Sequence, residues 1–72
     1  MGDIYDKMVE AWQAPSVCRS DVHKFSGGAV KGKTLANLES LGQGPPCFRF
    51  RNRICYETQK LADWMRDWNK QD

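Results

Sequence analysis

The 72-residue sequence predicts a single small domain, mainly α-helical and carrying one β-hairpin. Apolar residues recur at helical spacing in three stretches, Gly27-Gly28 and Gly42-Gln43-Gly44-Pro45-Pro46 punctuate the chain between them, and Phe48 to Tyr56 alternates apolar and polar residues about an arginine-rich middle. A chain this short buries only roughly 60% of its unfolded surface, which leaves room for a few short elements on one core. There is no internal repeat and no low-complexity segment.

Asp3 is placed to cap a first helix over residues 4–13, where Ile4, Met8 and Trp12 form an apolar stripe beside Tyr5 and Val9, and Pro15 stops it. Ser20 and Asp21 offer a second cap, with Val22 and Phe25 following at i, i+3 before Gly27-Gly28 ends a very short helix. A third helix runs from about Gly32 to Leu41. It buries Leu35, Leu38 and Leu41, turns Lys33, Asn37 and Ser40 the other way, and leaves Thr34 at the boundary. Gly42 supplies the left-handed position after it, and the two prolines force an extended connection.

Phe48-Arg49-Phe50 and Ile54-Cys55-Tyr56 alternate as half-buried strands do, with Arg51-Asn52-Arg53 as a three-residue tip. Pairing Phe50 with Ile54 and Phe48 with Tyr56 places all four on the inner face and leaves Arg49 outside, opposite Cys55. Thr58 or Glu57 caps a last helix with a strong amphipathic pattern, Leu61, Trp64, Met65 and Trp68. The expected organisation is an N-terminal amphipathic helix in residues 1–16 and a compact unit in 17–72. Leu35, Leu38, Phe50, Tyr56, Leu61 and Trp64 form its core.

The net charge of +2 conceals an uneven distribution. Val17 to Lys60 holds eight basic and three acidic residues, whereas the flanks hold three basic and six acidic ones. A basic centre between acidic ends can turn one face toward a polyanion. No apolar run reaches the length of a membrane span, and the beginning MGDIYDKMVE lacks the zones of a secretory leader, so a soluble cytoplasmic protein is expected. The three cysteines, an odd and widely spaced set, suit a reducing compartment.

A short helix, a tight turn and a second helix have the length and pattern of a helix-turn-helix, whose second helix enters the DNA major groove. The residues at its start, Lys31, Gly32, Lys33, Thr34 and Asn37, include donors and acceptors suited to base edges. Alone, this pattern is as well explained by a solvated polar helix face. The hairpin adds weight: Arg49, Arg51 and Arg53 lie in a stretch with no acid between Glu39 and Glu57, and guanidinium groups fork onto phosphate oxygens. Charged strands also discourage edge pairing, which is the plainer explanation.

Phe48, Phe50 and Tyr56 are expected in the core rather than as a stacking platform for bases. Cys18, His23, Cys47 and Cys55 contain no pair at zinc-knuckle spacing, so no metal is expected. One histidine, no phosphate-cradling glycine loop and no paired carboxylates in an apolar setting argue against an enzyme and against a cofactor.

A resemblance rests on several of these pieces together. They are Ser20-Asp21-Val22, Gly27-Gly28, Lys33-Thr34-Leu35-Ala36-Asn37-Leu38, Gly42-Gln43-Gly44-Pro45-Pro46, Arg49 to Tyr56, and Leu61-Ala62-Asp63-Trp64-Met65. Through them the stretch from about Val17 to Trp68 resembles the excisionase and AlpA-like family of small winged helix-turn-helix proteins, related in fold to the MerR-like DNA-binding domain. The resemblance implies sequence-specific binding of double-stranded DNA, as an excisionase-type recombination directionality factor or a small transcriptional regulator, in a family frequent on phages and mobile elements.

Base contacts are then expected from Lys31, Lys33, Thr34 and Asn37, and backbone contacts from Ser20, Arg49, Arg51, Asn52 and Arg53. The expected partners are duplex DNA in the nucleoid, with self-association or a recombinase or polymerase beside it, and no membrane. Where the family usually has Ser or Thr at the recognition-helix cap this chain has Lys31, Gly32 follows, and Asn52 and Cys55 stand at wing positions that are often basic. The alternative from another class is a protein-interaction module that docks through the Ile4/Met8/Trp12 stripe.

Overall fold

Asp3 opens the chain's first element as expected. In the computed structural model, which describes residues 2–70, its carboxylate accepts from the Tyr5 and Asp6 amides at 3.1 Å and caps helix α1 (Ile4–Trp12). Strand β1 (Ser16–Cys18) leads through a 3₁₀ turn (Arg19–Asp21) into the four-residue helix α2 (Val22–Phe25). Gly27 and Gly28, at φ 65° and 92°, reverse the chain toward helix α3 (Gly32–Ser40). Strands β2 (Phe48–Phe50) and β3 (Arg53–Glu57) form the hairpin, and helix α4 (Thr58–Lys70) closes the chain.

The architecture is mixed α/β rather than mainly α. Among the described residues, four α-helices accompany a three-stranded antiparallel sheet in the order β1-β3-β2. The extra strand β1 pairs Ser16 with Glu57, Val17 with Tyr56 and Cys18 with Cys55. Thr58 extends this junction. Its hydroxyl donates to the Ala14 carbonyl at 2.7 Å and its amide to that of Pro15 at 2.9 Å, so it ties α4 to the segment before β1 instead of capping its own helix.

The core is built from Val17, Val22, Leu35, Tyr56 and Leu61, with Phe25, Ala62 and Met65 around them. Leu35, Tyr56 and Leu61 are where the periodicity places them, and Leu38 and Trp64 are half-buried. Leu41 and Phe50 are not core residues: they are 67% and 63% exposed. Leu41 sits at the α3 C-terminus, where the chain turns off into the linker. Phe50 is exposed because the hairpin register differs by one residue from the expected one.

That register pairs Phe48 with Cys55, Arg49 with Ile54 and Phe50 with Arg53, which closes a two-residue loop, Arg51-Asn52. Side chains alternate across a strand, so a one-residue slip exchanges the faces. β3 is the central strand and its Tyr56 must cover Val17 over the core. β2, an edge strand, follows the tighter loop, and this turns Arg49 to the Ile54 and Tyr56 face and both phenylalanines outward.

α1 lies along α4. Arg66 reaches back from α4 to Asp3 at 2.6 Å and Asp6 at 3.0 Å, while also bonding Asp63 at 2.9 Å. Met8 and Trp12 pack against the core, Trp12 edge-on to Phe25, which leaves Ile4 as the exposed member of the stripe. No helix among the described residues is long and apolar enough to cross a membrane.

Candidate nucleic-acid interface

The turn between α2 and α3 is held by one buried hydroxyl. Ser26 donates to the Val22 carbonyl at 2.9 Å and accepts from the Val30 amide at 3.0 Å, fixing where α3 begins. Lys31 occupies the N-cap with extended backbone; its carbonyl accepts from the Thr34 and Leu35 amides, but its side chain makes no cap bond and offers no acceptor to the Gly32 and Lys33 amides. Gly32 follows at a close approach: a Cβ there would lie 2.7 Å from the Arg19 carbonyl oxygen. The glycine that weakens the helix by propensity is what lets α3 start directly against the 3₁₀ turn.

This junction forms one wall of an open cleft, and the hairpin forms the other. Ser20, Gly32, Lys33 and Ala36 face Asn52 and Arg53 across it. Asn37 lies four residues beyond Lys33 on the exposed side of α3. Thr34 is on another side, in a groove against Tyr5 and Met8 of α1 and Trp64 of α4. Of the residues expected at DNA, Ser20, Lys33, Asn52 and Arg53 are thus gathered on one cleft, Lys31 and Asn37 are exposed on α3, and Thr34 is turned away from them.

The hairpin shows two different faces. Arg49 shares its inner face with Ile54, whose side chain lines the cleft. Phe48 and Phe50 lie on the outer face, 46% and 63% exposed, beside Arg51 and Arg53. Arg51 stands at the first loop position with φ 58°, and its guanidinium is 6.0 Å from the Phe50 ring centre.

Ion pairing separates the charges by region. Asp3, Asp6 and Asp63 are gathered by Arg66, Glu57 pairs with Lys60, and Glu39 with Arg19. The Arg66 guanidinium beside Asp3 holds that carboxyl well below the usual carboxylate range. Among the described residues Lys31, Lys33, Arg49, Arg51 and Arg53 make no ion pair. Arg19, although it lines the cleft, is committed inward: besides Glu39 it bonds the Tyr56 hydroxyl at 3.0 Å. Burial pushes the Tyr56 phenol above its ordinary range, against the opposing pull of Arg19.

Sequence reasoning missed Arg19, Ser26 and the exposure of the two phenylalanines. The Arg19–Glu39 pair joins residues 20 positions apart and has no local pattern. No group of three or more His, Cys, Asp or Glu side chains is gathered at metal-binding distance among the described residues. Comparison with protein-family models, with characterised proteins and with solved structures returned no match.

Proposed function

We propose that the chain is a winged helix-turn-helix protein that binds double-stranded DNA without catalysing a reaction. It presents α3 to the major groove and the β2–β3 hairpin to the adjoining backbone. One observation carries this reading: the exposed start of α3 and the hairpin face each other across an open cleft and hold cations with no internal carboxylate partner. An α-helix, ~10–12 Å across with its side chains, fits a major groove ~12 Å wide.

In this reading Lys33 and Asn37 meet base edges, where Lys donates to guanine and Asn bonds adenine bidentately. A phosphate at the α3 N-terminus takes the bonds that Lys31 cannot accept, and its charge offsets the unfavourable placing of that lysine against the helix dipole. Ser20, Arg49, Arg51, Asn52 and Arg53 hold the backbone. Thr34 is given no role at DNA, since it lines the other groove. The task that suits such a protein is that of an excisionase-type directionality factor or small transcriptional regulator acting in the nucleoid.

Selection of bound duplexes from a random pool, followed by salt-titrated fluorescence anisotropy, tests the proposal. Affinity for duplex should fall steeply as salt rises. Asn37→Ala should leave generic binding nearly intact and cost about 1–3 kcal/mol on the selected site. Absence of salt-dependent duplex binding would sink the reading.

The outer hairpin face favours one second reading. Exposed Phe48 and Phe50 beside Arg51 and Arg53 are the components of a stacking surface for unpaired bases. Tighter binding to single strands than to duplex, lost in Phe50→Ala, would put this reading first. Docking through Ile4, Met8 and Trp12 has less to stand on, because two of the three pack inward.

A further inference from the structure

Cys18 and Cys55 are direct cross-strand partners in the β1–β3 ladder, and their sulfur atoms are 3.2 Å apart. Their direct pairing in the antiparallel ladder puts both side chains on the same, outer face of the sheet. Directly opposed residues have Cβ atoms ~4.5–5.5 Å apart and a disulfide spans ~3.5–4.5 Å, so closure asks for a backbone shift of about 1 Å or less. The third cysteine, Cys47, is exposed and precedes β2, outside this ladder.

We propose that Cys18 and Cys55 form an oxidisable dithiol that closes to an intramolecular disulfide, stapling β1 to β3 when the chain meets a small-molecule disulfide such as oxidised glutathione.

The two thiols have different access. Cys55 is 5% exposed, behind Phe48 and Phe50, whereas Cys18 is half-buried and lines the clefts on both sides of the sheet. The contact with the Cys18 thiol, and then burial, push the Cys55 thiol up, which disfavours it as the first nucleophile. The Cys18 thiolate attacks one sulfur of oxidised glutathione, forming a mixed disulfide and releasing one glutathione. The Cys55 sulfur then attacks the Cys18 sulfur, forming the protein disulfide and releasing the second glutathione. Two protein thiols are oxidised, one small disulfide is reduced, and the two protons end on the released thiols. Cys55 never has to meet the external reagent; it has only to reach a neighbour already beside it.

The staple joins the two ends of the reading unit. Cys18 adjoins the 3₁₀ turn that leads to α2, and Cys55 belongs to the central strand, so the bond would tie the segment entering α2 to the hairpin. It follows from the sulfur geometry alone and stands whether or not the cleft binds DNA.

The test equilibrates the full-length chain with graded reduced and oxidised glutathione, quenches with an alkylating agent, and maps the products by intact mass and peptide analysis, with a parallel series in concentrated urea. Cys47→Ser is run beside the wild type to remove the exposed thiol. The expected product lacks two hydrogens, links Cys18 to Cys55, and forms in the folded chain at a glutathione ratio at least about tenfold less oxidising than in urea. A stable glutathione adduct on Cys18, a link through Cys47, unreacted Cys18 and Cys55, or equal closure in urea would each overturn the proposal.

Discussion

Arg51 holds φ 58° in a two-residue hairpin loop, at a position where glycine sits without steric cost. A side chain there carries strain on the order of 1 kcal/mol. Arg51→Gly is expected to raise the melting midpoint by several degrees. If the hairpin meets phosphate, the same change weakens binding to all duplexes alike and lowers the magnitude of the log–log salt slope by about one. Thermal denaturation and salt-titrated anisotropy check the two halves separately; a variant that gains stability and keeps full affinity removes Arg51 from the interface. Asp3 is a second residue with two tasks, capping α1 and pairing with Arg66. Its bond to Arg66 keeps its carboxyl ionised in the folded chain to well below the ordinary carboxylate pKa. The stabilisation is therefore complete above that ordinary range, about pH 4, and is lost as pH falls below it toward the folded value. Asp3→Asn keeps a capping side chain but removes the charge. It should lower the melting midpoint at neutral pH and flatten its decline in acid; parallel curves for the two proteins would exclude the pair as a contributor.

At the level of elements, the helices were legible because each carries its own apolar period and its own stop, as with Ile4, Met8 and Trp12 before Pro15, or Leu61 and Met65 in α4. β1 was not, since three residues with Val17 as the one large apolar side chain show no period, and what recruits them is Tyr56, far along the chain. The hairpin itself was legible but its register was not. Alternation shows that two strands exist, whereas the loop length decides which face each side chain takes, and Arg51-Asn52-Arg53 suits loops of two or three residues. The candidate cleft was legible to the same degree: Lys33, Asn52 and Arg53 follow from helix and hairpin positions, while Thr34, at the edge of the apolar stripe, falls on the side of α1 and α4. Two substitutions separate the observed register from the expected one. Leu35→Ala should cost roughly 2–5 kcal/mol in urea denaturation, and Phe50→Ala, at an exposed position, under about 1 kcal/mol. Comparable losses from both would restore Phe50 to the core.

At the level of the whole molecule, Arg66 gathers carboxylates at the α1–α4 side, and Lys33 and Arg53, which make no ion pair among the described residues, line the α3–hairpin cleft. A modest net charge thereby still leaves unpaired cations at one cleft. The strand order has a consequence of another kind. Pairing β1 with β3 closes a loop between positions 37 apart, and that loop contains α2, α3 and β2. Helix turns and a hairpin form within about 10 μs on their own, but a long-range ladder has to wait for the loop to close. If these contacts form after the folding barrier, losing them speeds escape from the native state and leaves the approach to it little changed. Val17→Ala, at a fully buried position, should therefore raise the unfolding rate in stopped-flow chevrons and leave the folding limb near its original place. A shift confined to the folding limb would put the ladder in the nucleus. If the ladder forms last, the α3–hairpin cleft keeps its shape only as long as the three residues of β1 stay paired.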